Sequence, residues 1–136
     1  MLTRLKQLAA ARESFAFETT LASRTFAPWI ADLIKQGYAF HLIFLWLPSP
    51  DLAVNRVAER VRAGGHHVPE EVIRRRYVKG ILNLFSLYMP IATTWRVYDS
   101  EGSVPRLIAA GSKSIEEFIS DVPAWQAIKE TAHHGQ

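Results

Sequence analysis

At 136 residues the chain is one domain or part of one, and with 49% hydrophobic residues it can bury a real core. A formal net charge of +3 is too small an excess to argue for nucleic-acid binding, and the absence of cysteine excludes disulfides, thiolate metal sites and a cysteine nucleophile. No apolar run is long enough to span a bilayer, and Met1-Leu-Thr-Arg-Leu-Lys6 has scattered charge instead of an apolar signal core, so a reducing cytoplasm is the expected compartment.

Leu2, Leu5, Leu8 and Ala9 recur at helical spacing and predict a helix over residues 3–12. Residues 14–18, Ser-Phe-Ala-Phe-Glu, read as a short strand. A loop follows and leads into a helix ending near Gln36, with Gly37 in the stop position. Residues 40–47 form a continuous apolar run, the pattern of a strand covered on both faces. Pro48-Ser49-Pro50-Asp51 is a helix start: Ser49 caps, Pro50 takes the first helical position and Asp51 suits the positive end. That helix should run to about Arg62, where Gly64-Gly65 breaks it.

Pro69 opens the next helix, with Glu70 and Glu71 in its first turn. Its apolar stripe is Ile73, Tyr77, Ile81, Leu84 and Tyr88, and Pro90 ends it. Residues 95–98 and 106–109 are short strands separated by the turn-rich Asp99-Ser-Glu-Gly-Ser. Residues 115–120 and 124–131 are expected to be helices, and residues 133–136 a frayed tail. This alternation predicts an α/β layer fold with a mainly parallel sheet.

Glu18, Thr19 and Thr20 follow the first strand, at the edge where open α/β sheets bind ligands. A carboxylate there accepts from a hydroxylated substrate and Thr20 donates to phosphate or sugar oxygens; equally, Thr19 or Thr20 would serve as a helix cap. Arg74, Arg75 and Arg76 turn by about 100° per residue, so at most two can face one cleft. Glu70–Arg74 and Glu71–Arg75 have the favourable i,i+4 order, each worth about 0.2–0.5 kcal/mol, so a solvated face explains much of this charge. Arg62 lies across the glycine pair, and a closing loop would bring guanidinium groups from both sides onto one anion. His66-His67 and His133-His134 lack a third ligand at metal-binding spacing. Ser23 and Ser86 have no Gly-x-Ser-x-Gly setting, Asp99 reads as a turn residue, and the four tryptophans read as packing residues. No Gly-x-x-x-x-Gly-Lys-Ser/Thr loop occurs.

Phe17-Glu18-Thr19-Thr20-Leu21-Ala22-Ser23, Gly37-Tyr38, Arg62-x-Gly-Gly-His-x-Val-Pro-Glu70, Ile73-Arg-Arg-Arg-Tyr77, Asn83-Leu84, Tyr88 and Val97-Tyr98-Asp99-Ser100 together resemble the C-terminal part of the zeta toxin family of P-loop kinases. The resemblance covers residues 1–111, with a lid at about 62–76, and leaves residues 112–136 as C-terminal helices and tail. It implies an incomplete P-loop kinase-like three-layer fold lacking the phosphate-loop strand, which in the family lies between those matching residues 14–18 and 40–47. It implies ATP- and Mg²⁺-dependent phosphoryl transfer to a sugar nucleotide, typically UDP-N-acetylglucosamine. Glu18 and Thr20 look like the substrate contacts, and Arg62 and Arg75, with Arg76 next, look like the groups that reach the ATP phosphates. Where the better-known toxins carry an arginine two places after that threonine, this chain has Ala22. The phosphate loop, its lysine and the catalytic aspartate are absent from this sequence, so the expectation is a truncated member, or one whose start lies upstream, inactive alone. The alternative expectation is a non-catalytic interaction module that binds an antitoxin or a complementing chain through exposed sheet edges. An RNA-binding role is disfavoured by the mild charge and by the lack of aromatics interleaved with the arginines.

Overall fold

The computed structural model describes Gln7, Thr19 and residues 21–134. The helix expected over residues 3–12 (save Gln7, which is helical) and the strand expected over 14–18 lie outside the described residues, as do Glu18 and Thr20. In chain order the elements are α1 (Phe26–Lys35), β1 (His41–Trp46), α2 (Pro50–Arg62), α3 (Glu70–Asn83), β2 (Thr94–Asp99), β3 (Arg106–Ser112), β4 (Ile115–Ile119) and α4 (Val122–His134). A π-helical turn, Leu84–Tyr88, and a 3₁₀ turn, Met89–Ile91, continue α3 before β2 begins. Among the described residues no helix is long and apolar enough to cross a membrane.

The architecture is α/β with one sheet, ordered β1-β2-β3-β4. β1 and β2 are parallel, from His41 opposite Thr94 to Trp46 opposite Asp99, and the long α2–α3 connection supplies the crossover that parallel pairing needs. β2–β3 and β3–β4 are antiparallel, so the described sheet is mixed and not mainly parallel as expected. The reason is length: residues 100–105 and 113–114 are too short to cross the sheet, and only hairpins fit.

The segment expected to form a helix over residues 115–120 is strand β4. Lys113 takes a left-handed φ of 52°, and the two-residue turn Lys113-Ser114 brings Ser112 opposite Ile115. Gly111 makes the closure possible, because a Cβ there would collide with the Ile115 carbonyl and the Trp95 ring. The helical preference of Glu116 and Glu117 yields to this pairing, and Lys129 of α4 bonds Glu116 at 3.1 Å. α4 begins where Asp121 Oδ1 accepts from the Ala124 N–H at 3.1 Å. It runs to His134, so His133 and His134 belong to the helix and not to a frayed tail.

The core lies between one sheet face and the helices. Trp95 stacks on Trp125 with centroids 5.5 Å apart, and Phe85 meets Trp125 at 5.4 Å. Ile81, Leu84, Tyr88, Val97, Ile108 and Ile128 are fully buried around them. Thus the tryptophans at 95 and 125 are packing residues, as their sequence context suggested. On β1 only Leu42 and Trp46 are buried; Ile43 is 64% and Leu45 57% exposed on the opposite face. The apolar run is therefore covered on one face, contrary to the both-faces expectation.

Candidate functional site

α2 and α3 pack antiparallel as a helical hairpin, and local sequence sets each of its corners. Ser49 Oγ accepts from the Leu52 N–H at 3.3 Å, with Pro50 at the first helical position, as the sequence indicated. At the other end Gly64 adopts φ +101°, its N–H reaches Val61 O at 3.0 Å, and the Gly65 N–H reaches Arg60 O at 2.7 Å. These two bonds close a Schellman stop. Gly65 must also lack a Cβ, which would sit 2.9 Å from Arg60 O. The glycine pair is thus a defined stop with its backbone bonds satisfied.

Arg74 holds the two helices together. Its Nη2 lies 2.6 Å from Asp51 Oδ1 and its Nε 3.0 Å from Glu70 Oε1. Both carboxylates, Asp51 first, raise its pKa further above the ordinary arginine value, so it stays charged throughout. Lower on α3, Tyr77 Oη donates to Leu47 O at 2.7 Å and fixes the helix to the end of β1. Burial raises the Tyr77 pKa. No residue of α2 is fully buried, whereas α3 buries Ile73 and Ile81, so α2 is the outer helix of the pair.

At its closed end the hairpin encloses a groove of about 290 Å³. Val57, Val61, Val68 and Ile73 give it apolar walls, and Arg62, His67 and Glu70 give it polar ones. The structure therefore brings Arg62 to a concave surface. Arg75 and Arg76 are exposed on α3, do not line this groove, and have no ion pair among the described residues. The Glu70–Arg74 pair forms at 2.8 Å, whereas Glu71–Arg75 does not form. A lone solvated pair of that kind is too weak to hold two long side chains together.

A second set of contacts joins distant motifs. Leu21 takes φ +61°, its N–H bonds Thr19 Oγ1 at 3.3 Å, and its carbonyl accepts from buried Asn83 Nδ2 at 2.7 Å. Tyr88 Oη donates to Ser23 O at 2.6 Å. The segment that follows Glu18 and Thr20 is thereby held against the far end of α3. Sequence reading did not assign this positioning role to Asn83 and Tyr88; a phenol on the apolar stripe and an amide directly before Leu84 of that stripe were the available signal.

Asp99 behaves as a turn residue. Its Oδ1 accepts from the Glu101 N–H at 2.9 Å and its Oδ2 from Arg106 at 3.1 Å. Arg106 also bonds Asp121 at 2.7 Å, and with the Ala124 N–H this holds the Asp121 carboxyl below the usual carboxylate range. Arg56 of α2 closes the ends of β1 and β2 by donating to Ser100 O at 2.8 Å, while the Ser100 N–H reaches Trp46 O at 2.8 Å. His66 and His67 are exposed, and among the described residues no group of three His, Cys, Asp or Glu is placed to hold a metal.

No family model and no solved structure matches the chain. A Haemophilus influenzae protein described as an uncharacterized protein is similar to it, with 25% identity over 63 residues. The match spans just under half the length of each: 46% of this chain and 45% of that protein.

Proposed function

We propose that this chain is the lid-bearing part of a zeta toxin-like P-loop kinase. Its reaction would be ATP-dependent phosphoryl transfer to a sugar nucleotide such as UDP-N-acetylglucosamine, completed only with phosphate-loop residues that this sequence does not contain. One observation supports this most: two of the motifs behind the resemblance, far apart in sequence, are in contact. Asn83 and Tyr88 bind the backbone of Leu21 and Ser23, so the segment that follows Thr20 is anchored to the far end of the helix that carries Arg75 and Arg76. The parallel β1–β2 pair fits a P-loop kinase-like layer fold, and among the described residues no strand pairs with the outer edge of β1, where the family's phosphate-loop strand would lie.

The residues present fit only part of the nucleotide. Arg62 in the groove, joined by Arg75 and Arg76 from the exposed flank of α3, would donate to phosphate oxygens and offset charge on the transferring group. Glu18 would accept from a sugar hydroxyl and Thr20 would donate to the substrate. Mg²⁺, when bound with ATP, neutralises charge on the β- and γ-oxygens. One groove arginine is too little for a triphosphate.

With ATP, Mg²⁺ and UDP-N-acetylglucosamine the 136-residue protein should form no phosphorylated sugar. Calorimetry should find weak ATP binding that fades with salt and falls in Arg62→Ala and Arg75→Ala. Turnover lost in Arg75→Ala would overturn the incompleteness, and ATP binding indifferent to both substitutions would overturn the lid assignment.

A further inference from the structure

The sheet face turned away from the core has no role in the nucleotide reading. Strand register places Ile43 beside Arg96, Arg96 beside Ala110, and Ala110 beside Phe118 in one row. The next row sets Leu45 beside Tyr98 and Tyr98 beside Leu107. Cross-strand partners share a face, so these side chains form one surface. Ile43, Leu45 and Phe118 are 64%, 57% and 55% exposed. Neighbouring exposed apolar residues in such an array mark an interaction surface more often than scattered ones do.

Arg96 says what kind of partner fits. It is exposed in the middle of the row, and its guanidinium has no hydrogen bond or ion pair among the described residues. A second copy laid face to face across a two-fold axis would set Arg96 near its own twin, two like charges in a drying interface. A purely apolar cover would bury the guanidinium unpaired. A segment with an apolar stripe and one carboxylate meets both demands. Helices are the usual cover for an apolar sheet face.

We infer that this face docks an amphipathic helix of a partner protein, with an acidic residue of that helix paired to Arg96. The inference stands apart from the kinase reading, whose three-layer fold would cover this face with helices of its own domain.

Display selection of 18-residue amphipathic helical peptides on the 136-residue protein tests it. Enriched peptides should share an Asp or Glu at one place on the apolar stripe. Arg96→Glu should weaken such a peptide by about tenfold or more and, used as bait, should select Lys or Arg there instead. Phe118→Lys should abolish binding; if that variant misfolds by circular dichroism, Ile43→Lys at the other end of the row gives the same readout. Failure to enrich any peptide, or binding indifferent to these substitutions, would overturn the proposal. So would sedimentation of the wild type as a dimer that Phe118→Lys dissociates, since the occupant would then be a second copy.

Discussion

The helical hairpin of α2 and α3 and the body built on β2, β3 and α4 are held together by different physics. In the body, Trp95 and Trp125 stack at the centre of a buried apolar cluster, so stability there comes from apolar area and close packing. In the hairpin α2 contributes no fully buried residue, and its position rests on a cap, a glycine stop, the exposed Asp51–Arg74–Glu70 cluster and the Arg56 bond to Ser100 O. Exposed ion pairs add little to global stability, so α2 should open at low cost while α3, which carries Ile81 into the core, stays folded with the body. A region that must close on a ligand and reopen is better built this way.

The sharpest way to break the contrast is Trp125→Ala. It should remove about 3–5 kcal/mol from the whole fold, read as a drop in the denaturation midpoint of every probe together. Gly64→Ala should cost about 1 kcal/mol, because φ +101° suits only glycine, and the loss should appear in amide exchange of α2 and the start of α3. If it instead shifted the global midpoint as far as Trp125→Ala does, α2 would not be a separate unit. The smallest effect belongs to Asp121, whose folded pKa is depressed by Arg106 and by the Ala124 N–H. Its contribution is present above the ordinary carboxylate pKa and is lost as pH falls through the lower folded value. Acid titration of stability should therefore flatten slightly in Asp121→Asn, with α4 exchange responding first.

Local rules carried most of what was legible in the sequence. Ser49-Pro50-Asp51, Gly37 and Gly64 fixed three helix ends because capping depends on a few adjacent residues. The stripe from Ile73 to Leu84 appeared as a buried face because helical period needs no knowledge of the partner. The misses were non-local. Glu116 and Glu117 favour a helix until Gly111 admits β4 beside β3, a contact that composition does not show. Arg74 was read through Glu70, four residues away, while its shorter bond goes to Asp51 across the hairpin. Of the site residues, Arg62 lines a groove, and Arg75 lies outside it because helical rotation carries it to the solvent side, so the two do not share one concave surface. In the described sheet the parallel expectation failed at β2–β3 on connection length, which the strands expected at 95–98 and 106–109 already made countable, and at β3–β4 because β4 was not recognised as a strand.

The π-helical turn at Leu84–Tyr88 carries one more consequence. A wide turn of this kind holds a residue more than an α-turn, so it offsets the phase of the residues beyond it by about 100°. Asn83 lies before that offset and Tyr88 after it, yet both reach the same short stretch of backbone. Deleting one residue inside the turn would leave the amide in place and carry the phenol away from its carbonyl. The guanidinium-bearing half of the helix stays in phase with the amide anchor, because Asn83 belongs to the same unbroken α-helix, and only the phenol depends on the wide turn.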